Sequence, residues 1–163
     1  MENFINMENL LIKKEEVYKE VAELISCVEV YSEATGIVIG CQVMNVKDGP
    51  FEFFWRDACC TVTTEVKKYL TSVSSPSDRD KPDSKEVFTI ELKMPSKFKE
   101  SPTTYIEEEI HSFFVNSIAN KLLLSSRKDV ASKYEKQATS SLQNARRILF
   151  QRKPPVRVPP TIE

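Results

Sequence analysis

Residues 102–124, PTTYIEEEIHSFFVNSIANKLLL, and residues 129–150, DVASKYEKQATSSLQNARRILF, decide how the rest of the chain is read. In the first, Ile106, Ile110, Phe113, Phe114, Ile118 and Leu122 recur at three- and four-residue spacing, which is one face of a helix. Ser101-Pro102 opens it. Glu107, Glu108 and Glu109 follow in its early turns, where negative charge suits the helix dipole. In the second, Val130, Tyr134, Ala138, Leu142, Ala145 and Leu149 step at the same helical spacing. Ser126-x-x-Asp129 resembles a capping box with Asp in the Glu/Gln position. Only a few residues join the two, so they are expected to pack antiparallel as a hairpin. Ala138 and Ala145 let the backbones approach closely.

Upstream, EVFTIELKMP alternates: Phe88, Ile90, Leu92 and Met94 on one side, Val87, Thr89, Glu91 and Lys93 on the other. A period of two marks a half-buried strand. A lone strand leaves its backbone unsatisfied, so it needs a partner, either the 36–46 stretch or a strand from another copy. Before it, SSPSDRDKPDSKE is polar, charged and proline-containing, an exposed loop. Asp48-Gly49-Pro50 starts a second long helix, PFEFFWRDACCTVTTEVKKYLTSV, with Phe51, Trp55, Ala58, Cys59, Val62, Val66, Tyr69, Leu70 and Val73 on its apolar face. The first helix is NLLIKKEEVYKEVAELISC, carried by Val17, Val21, Leu24 and Ile25. Residues 28–47 read either as a short hairpin turning at Ala34-Thr35-Gly36 or as a helix end and a loop. The reading taken is helix to about Cys27, then loop with weak strand character.

These elements make a mainly α fold: a four-helix, bundle-like body over 1–150 with a small β element near 87–94. The loop and strand of about 75–101 form an insertion, and 151–163 an extended basic, Pro-rich C-terminal arm. A chain of 163 residues is long enough to bury its own core. A net charge of −1 argues against a chain built as a whole for nucleic acid or a membrane surface. Three glycines are too few for a Gly-rich phosphate loop or a chain of tight hairpins. No apolar run approaches the roughly 20 residues of a transmembrane helix. The start, MENFINMENLL, lacks the basic n-region of a signal peptide.

Chemistry-bearing residues are sparse. Cys27, Cys41, Cys59 and Cys60 include no C-x-x-C pair, and adjacent cysteines on a helix diverge, so a disulfide framework is not expected. His111 is the single histidine, too little with these cysteines for a zinc site. It lies beside an apolar stripe, where a histidine is usually structural. No serine sits in a G-x-S-x-G context. Consecutive Glu107, Glu108 and Glu109 fan around a helix rather than converging. No catalytic residue, cofactor site or metal site is assigned. An enzyme working through Cys59 or His111 is the least supported reading.

Two features remain. Arg146, Arg147, Arg152, Lys153 and Arg157 form a basic run with no acidic residue between them. Arg146 and Arg147 are explained by the helix C-terminus, which favours cations. Pro154-Pro155 and Pro159-Pro160 end the helix and favour an extended, polyproline-like chain that loses little entropy on docking. A disordered terminus would account for the same composition. The functional reading is an arm laid across a partner, with Val156 and Val158 able to add an edge strand.

The order of VYKEVAELI, FFWRDACCTVTTEVKKYL, a polar segment with the strand EVFTIELKMP, two helices YIEEEIHSFFVNSIANKLLL and DVASKYEKQATSSLQNARRILF, and a basic proline tail resembles the small head–tail adaptor, or neck ring, proteins of tailed bacteriophages. The fragment RRILFQRKPPVRVPP is most like those of phages of gut Bacteroidetes, the crAss-like group included. The resemblance is one of architecture over nearly the whole chain. It implies a homo-oligomeric ring, usually of twelve copies, under the portal vertex, extending the DNA channel without sequence-specific binding and docking the next tail component. It implies a virion protein assembled in the bacterial cytoplasm, without catalysis. Carried over by position, Arg152, Lys153, Pro154, Pro155, Val156, Arg157, Val158, Pro159 and Pro160 form the portal-docking arm. Val87, Phe88, Thr89, Ile90, Glu91 and Leu92 form a strand open to a neighbouring subunit. The 28–47 stretch is longer and more β-like than an adaptor turn. The rival reading is a small helical nucleic-acid-binding or regulatory module whose basic tail meets phosphate.

Overall fold

A computed structural model of the chain describes residues 6–34, 50–67, 70–73, 87–94, 101–125 and 127–150. Seven elements follow in chain order: β1 (Asn6–Lys13), α1 (Lys14–Ala34), α2 (Pro50–Val66), β2 (Leu70–Val73), β3 (Val87–Met94), α3 (Ser101–Leu123) and α4 (Lys128–Phe150). The fold is mainly helical with a small antiparallel sheet of order β1-β3-β2.

The strand expected at 87–94 is β3, and its alternation sorts as the period of two requires. Phe88, Ile90 and Leu92 are buried, whereas Val87, Thr89 and Glu91 lie on the outer side. Among the described residues its partners are β1 and β2, while the 36–46 stretch lies outside them. β1 pairs along its whole length, from Asn6 opposite Met94 to Lys13 opposite Val87. β2 takes the other edge at 90–92, with a register shift between Leu70 and Ser72. Of the six residues expected as a strand open to a neighbour, Ile90, Glu91 and Leu92 are paired on both edges, and Val87, Phe88 and Thr89 are paired along the β1 edge. Along the β1 edge the backbone groups that demanded a partner find it inside the chain.

Two helix boundaries move for the same reason. Residues 9–13, read as the start of the first helix, are strand: Leu10 and Ile12 point into the core while Asn9, Leu11 and Lys13 face out. The helix begins at Lys14, where Val17 and Val21 take over at a spacing of four, and runs to Ala34 rather than stopping near Cys27. Glu15 and Glu16 in its first turn suit the dipole. Similarly, α2 ends at Val66, and Leu70 to Val73 leave the predicted helix to become β2. The face expected for α2 is otherwise buried: Phe51, Trp55, Ala58, Cys59, Val62 and Val66. Residues 35–49 lie outside the described residues, and so does the hairpin alternative at 35–36.

α3 is the central element and packs against α4, α1, α2 and β1. This explains why Val115, Ala119 and Leu123 are buried in addition to most of the expected stripe, while Leu122 is only partly buried. A helix surrounded on several sides needs more than one apolar face. Its core is aromatic. Phe114, fully buried, lies 4.8 Å from Trp55 of α2 and 5.6 Å from Phe88 of β3, ring centre to ring centre. Tyr18 and Phe51 extend the cluster toward α1, 5.6 Å apart and edge-on.

The α3–α4 hairpin is antiparallel, as the short connection requires. Ser141 Oγ donates to Ser112 Oγ at 3.1 Å, and Asn144 Nδ2 to Glu109 Oε1 at 3.5 Å. Ala131, Ala138 and Ala145 are buried along the seam side of α4. At the turn, Arg127 N–H donates to the Leu123 carbonyl at 2.8 Å, and the Arg127 carbonyl accepts from Ala131 at 2.9 Å. Ser126, half of the expected capping box, is outside the described residues. Arg127 instead holds the Asp129 carboxylate at 3.3 Å and keeps its pKa below the usual carboxylate range.

Candidate functional site

The residues from Arg152 to Pro160, expected as the docking arm, lie outside the described residues. Their place of departure does not: they follow α4, which runs to Phe150. Two cations of the basic run belong to the helical body. Arg146 reaches Glu65 of α2 at 3.7 Å, and Arg147 Nη2 donates to Asn144 Oδ1 at 3.4 Å. The other three cations of the run, Arg152, Lys153 and Arg157, lie outside the described residues.

The hairpin creates a slot that no linear pattern announces. α2 and α4 both lie against α3, and between them opens a space of about 370 Å³. Its floor is Phe113, Ser117, Ala138 and Leu142, mostly apolar. Thr61, Thr139, Gln143 and Glu135 line its rim, and the Arg146–Glu65 pair closes one end. Asn120 also lines it, and Asn120 Oδ1 is buried without a hydrogen-bond partner. An unpaired buried amide oxygen is costly. A second groove of about 430 Å³, lined by polar residues, runs on the other side of the hairpin, between Glu108, Glu109 and Asn116 of α3 and Gln137, Ser140 and Asn144 of α4.

At the end of the body near the α3–α4 turn, Phe53 is 68% exposed and stacks edge-on against Phe54, 5.8 Å away. Lys121 lies 5.8 Å over the Phe54 ring and also pairs with Asp57 of the same helix as Phe54. Leu124 beside the turn is 52% exposed. Tyr105, 59% exposed, lies on the first turns of α3 at the opposite end.

His111 Nε2 meets Glu20 Oε1 of α1 at 2.9 Å, so the single histidine joins two helices. Nearby, Glu107 Oε2 accepts from the Leu11 backbone N–H of β1 at 3.3 Å. Lys13 pairs with Glu16 at 2.9 Å, which raises the lysine pKa and lowers that of the carboxyl. Glu107 and Glu108 thus do different work, one capping a strand edge and the other lining the polar groove. Cys59 is buried, and desolvation, helped by neighbouring Cys60, pushes its thiol up to about 12. A thiol held neutral is a poor nucleophile. Cys27 and Cys60 are exposed, and Cys41 is outside the described residues. Among the described residues, no group of three or more His, Cys, Asp or Glu side chains is placed to hold a metal ion, and no helix is long and apolar enough to cross a membrane.

No protein-family profile, curated protein or solved structure matches this chain.

Proposed function

We propose that the chain is a structural virion protein of a tailed bacteriophage. In this reading it is a head–tail adaptor, or neck ring protein, that docks under the portal through Arg152 to Pro160, extends the DNA channel and connects capsid to tail. The copies form a homo-oligomeric ring, and DNA passes through it without sequence-specific contacts.

The observation that carries this reading is the α3–α4 hairpin. Two helices of 23 residues each form a rigid unit, and the second leads at Phe150 into a basic segment with two proline pairs. A stiff helix end is a fixed platform from which a pre-extended arm departs with little entropy left to lose. The contacts of Arg146 with Glu65 and of Arg147 with Asn144 draw two of the five cations of the basic run onto the body, which favours protein docking over phosphate binding for the arm. Exposed Phe53 and Leu124 at one end and Tyr105 at the other suit a body that meets protein at both ends.

The test is a pull-down from phage-infected native host, with the full chain and a chain truncated after Phe150 as baits. Capture of a large portal oligomer by the full chain alone is the expected result. If both baits come down alone, the adaptor reading is lost. A salt-sensitive shift of DNA that disappears on removing 151–163 would replace it with the nucleic-acid reading.

A further inference from the structure

We infer that the slot between α2 and α4 receives the Pro154–Pro160 segment of a second copy of this chain. Three features of the slot match three features of the segment. The first is length. Glu135 and Arg146 bound the slot on α4, and at about 1.5 Å rise per residue they are roughly 16 Å apart. An extended proline-rich chain covers about 3.1 Å per residue, so five or six residues fill that span. Pro154 to Pro159 supplies them.

The second feature is chemistry of the floor. Phe113, Ala138 and Leu142 offer apolar contact to proline rings and to Val156 and Val158. Val156, Arg157 and Val158 carry backbone N–H groups that the prolines lack, and the side-chain oxygens of Thr139 and Gln143 on the rim can accept them. The third is charge. Glu65 is shared with Arg146, but Glu135 on the rim forms no ion pair among the described residues. Arg157, midway between the proline pairs, is the complement.

A second copy is the better source of the segment than the same chain. Filling its own slot requires the chain to reverse directly after Phe150. No glycine occurs from 151 to 163 to make the left-handed turn that reversals use, and Lys153 before Pro154 is biased to extended backbone. At about 3.1 Å per residue the 13 residues after Phe150 reach roughly 40 Å, enough to lie along a neighbour. The contact is head-to-tail, so it propagates from copy to copy. It involves only copies of this chain and does not rest on the portal reading. An arm held in a slot is not on a portal, so the two sites compete.

The test uses full-length chains with Cys27, Cys41 and Cys60 changed to Ser. Thr139→Cys is placed in one chain, and Val156→Cys or Val158→Cys in a second, tagged chain. Mixed and mildly oxidised, they are expected to give a disulfide-linked tagged–untagged dimer. Ser140→Cys, on the polar groove instead, gives none. Glu135→Lys lowers the yield about fivefold, as loss of one rim charge contact does, and Arg157→Glu in the tagged chain restores it. The restoration shows that loss of yield is not loss of folding. A dimer formed equally with Ser140→Cys, no dimer, or a link that forms only within one chain bearing both cysteines overturns the inference. Failure of the portal pull-down leaves it standing.

Discussion

Phe114 is the point where α2, α3 and β3 meet, and its removal is the sharpest test of the core packing. The side chain is fully buried and touches the rings of Trp55 in α2, Phe88 in β3 and Phe113 in its own helix. Truncation to Ala forfeits the transfer of a whole ring and leaves a cavity that rigid neighbours cannot close, a loss of about 3–5 kcal/mol. The total stability of a domain is about 5–15 kcal/mol. Phe114→Ala therefore removes a large share of it, and Phe114→Leu, which keeps part of the volume, should cost about 1–2 kcal/mol. Phe53 is the control, an aromatic residue of α2 that is 68% exposed. Phe53→Ala should change stability by no more than about 0.5 kcal/mol. Urea unfolding followed by fluorescence reads this cleanly, since Trp55 is the single tryptophan and lies 4.8 Å from the Phe114 ring. With a slope of about 2 kcal/mol per molar urea, Phe114→Ala lowers the midpoint by about 2 M and Phe114→Leu by less than about 1 M. Equal midpoints for the Phe114→Ala and Phe53→Ala proteins, at unchanged slope, would refute the placement of Phe114 at the centre of the core.

Glu107→Ala should speed hydrogen exchange at the Leu11 amide and cost about 0.5–1.5 kcal/mol, while Glu107→Gln, which keeps an acceptor, costs less. Unchanged Leu11 exchange in the Ala variant would remove Glu107 from the strand edge. The Asp129 carboxyl, held by Arg127, has a folded pKa below its ordinary value, so it stabilises the fold above the ordinary carboxylate range and the effect is lost as pH falls through the lower folded value. The gap in urea midpoint between wild type and Asp129→Asn should thus be open at pH 6 and closed at about pH 2; a gap that widens in acid contradicts the assignment. In a thiol-labelling experiment at neutral pH, Cys27 and Cys60 should react in the folded protein, and Cys59 only once urea exposes it. Peptide mapping of the label decides this, and early labelling of Cys59 would count against its burial.

Elements whose signal is local are legible in the sequence. The stripes of α3 and α4 repeat over many turns, the connection between them is too short for anything but an antiparallel pair, and Pro50 marks the start of α2. The alternation of β3 likewise needs no knowledge of its neighbours to place Phe88, Ile90 and Leu92 inward. The features that escape such a reading are non-local. Asn9 to Lys13 runs without a break into the helical pattern of α1, and it becomes strand because β3, some 80 residues away in the chain, has an edge to fill. Leu70 and Val73 fit the face of α2 equally well and leave it for the other edge. Periodicity scores a segment against itself, whereas strand pairing is settled by hydrogen-bond partners the segment cannot name. The central position of α3, and the slot over it, arise in the same way: Thr61, Phe113, Asn120 and Glu135 come from three helices and are neighbours only because α2 and α4 both pack on α3. The basic proline segment is plain in the sequence because backbone stiffness and charge are properties of the residues themselves. A place for it to lie is a property of surfaces, and surfaces exist only once helices have packed.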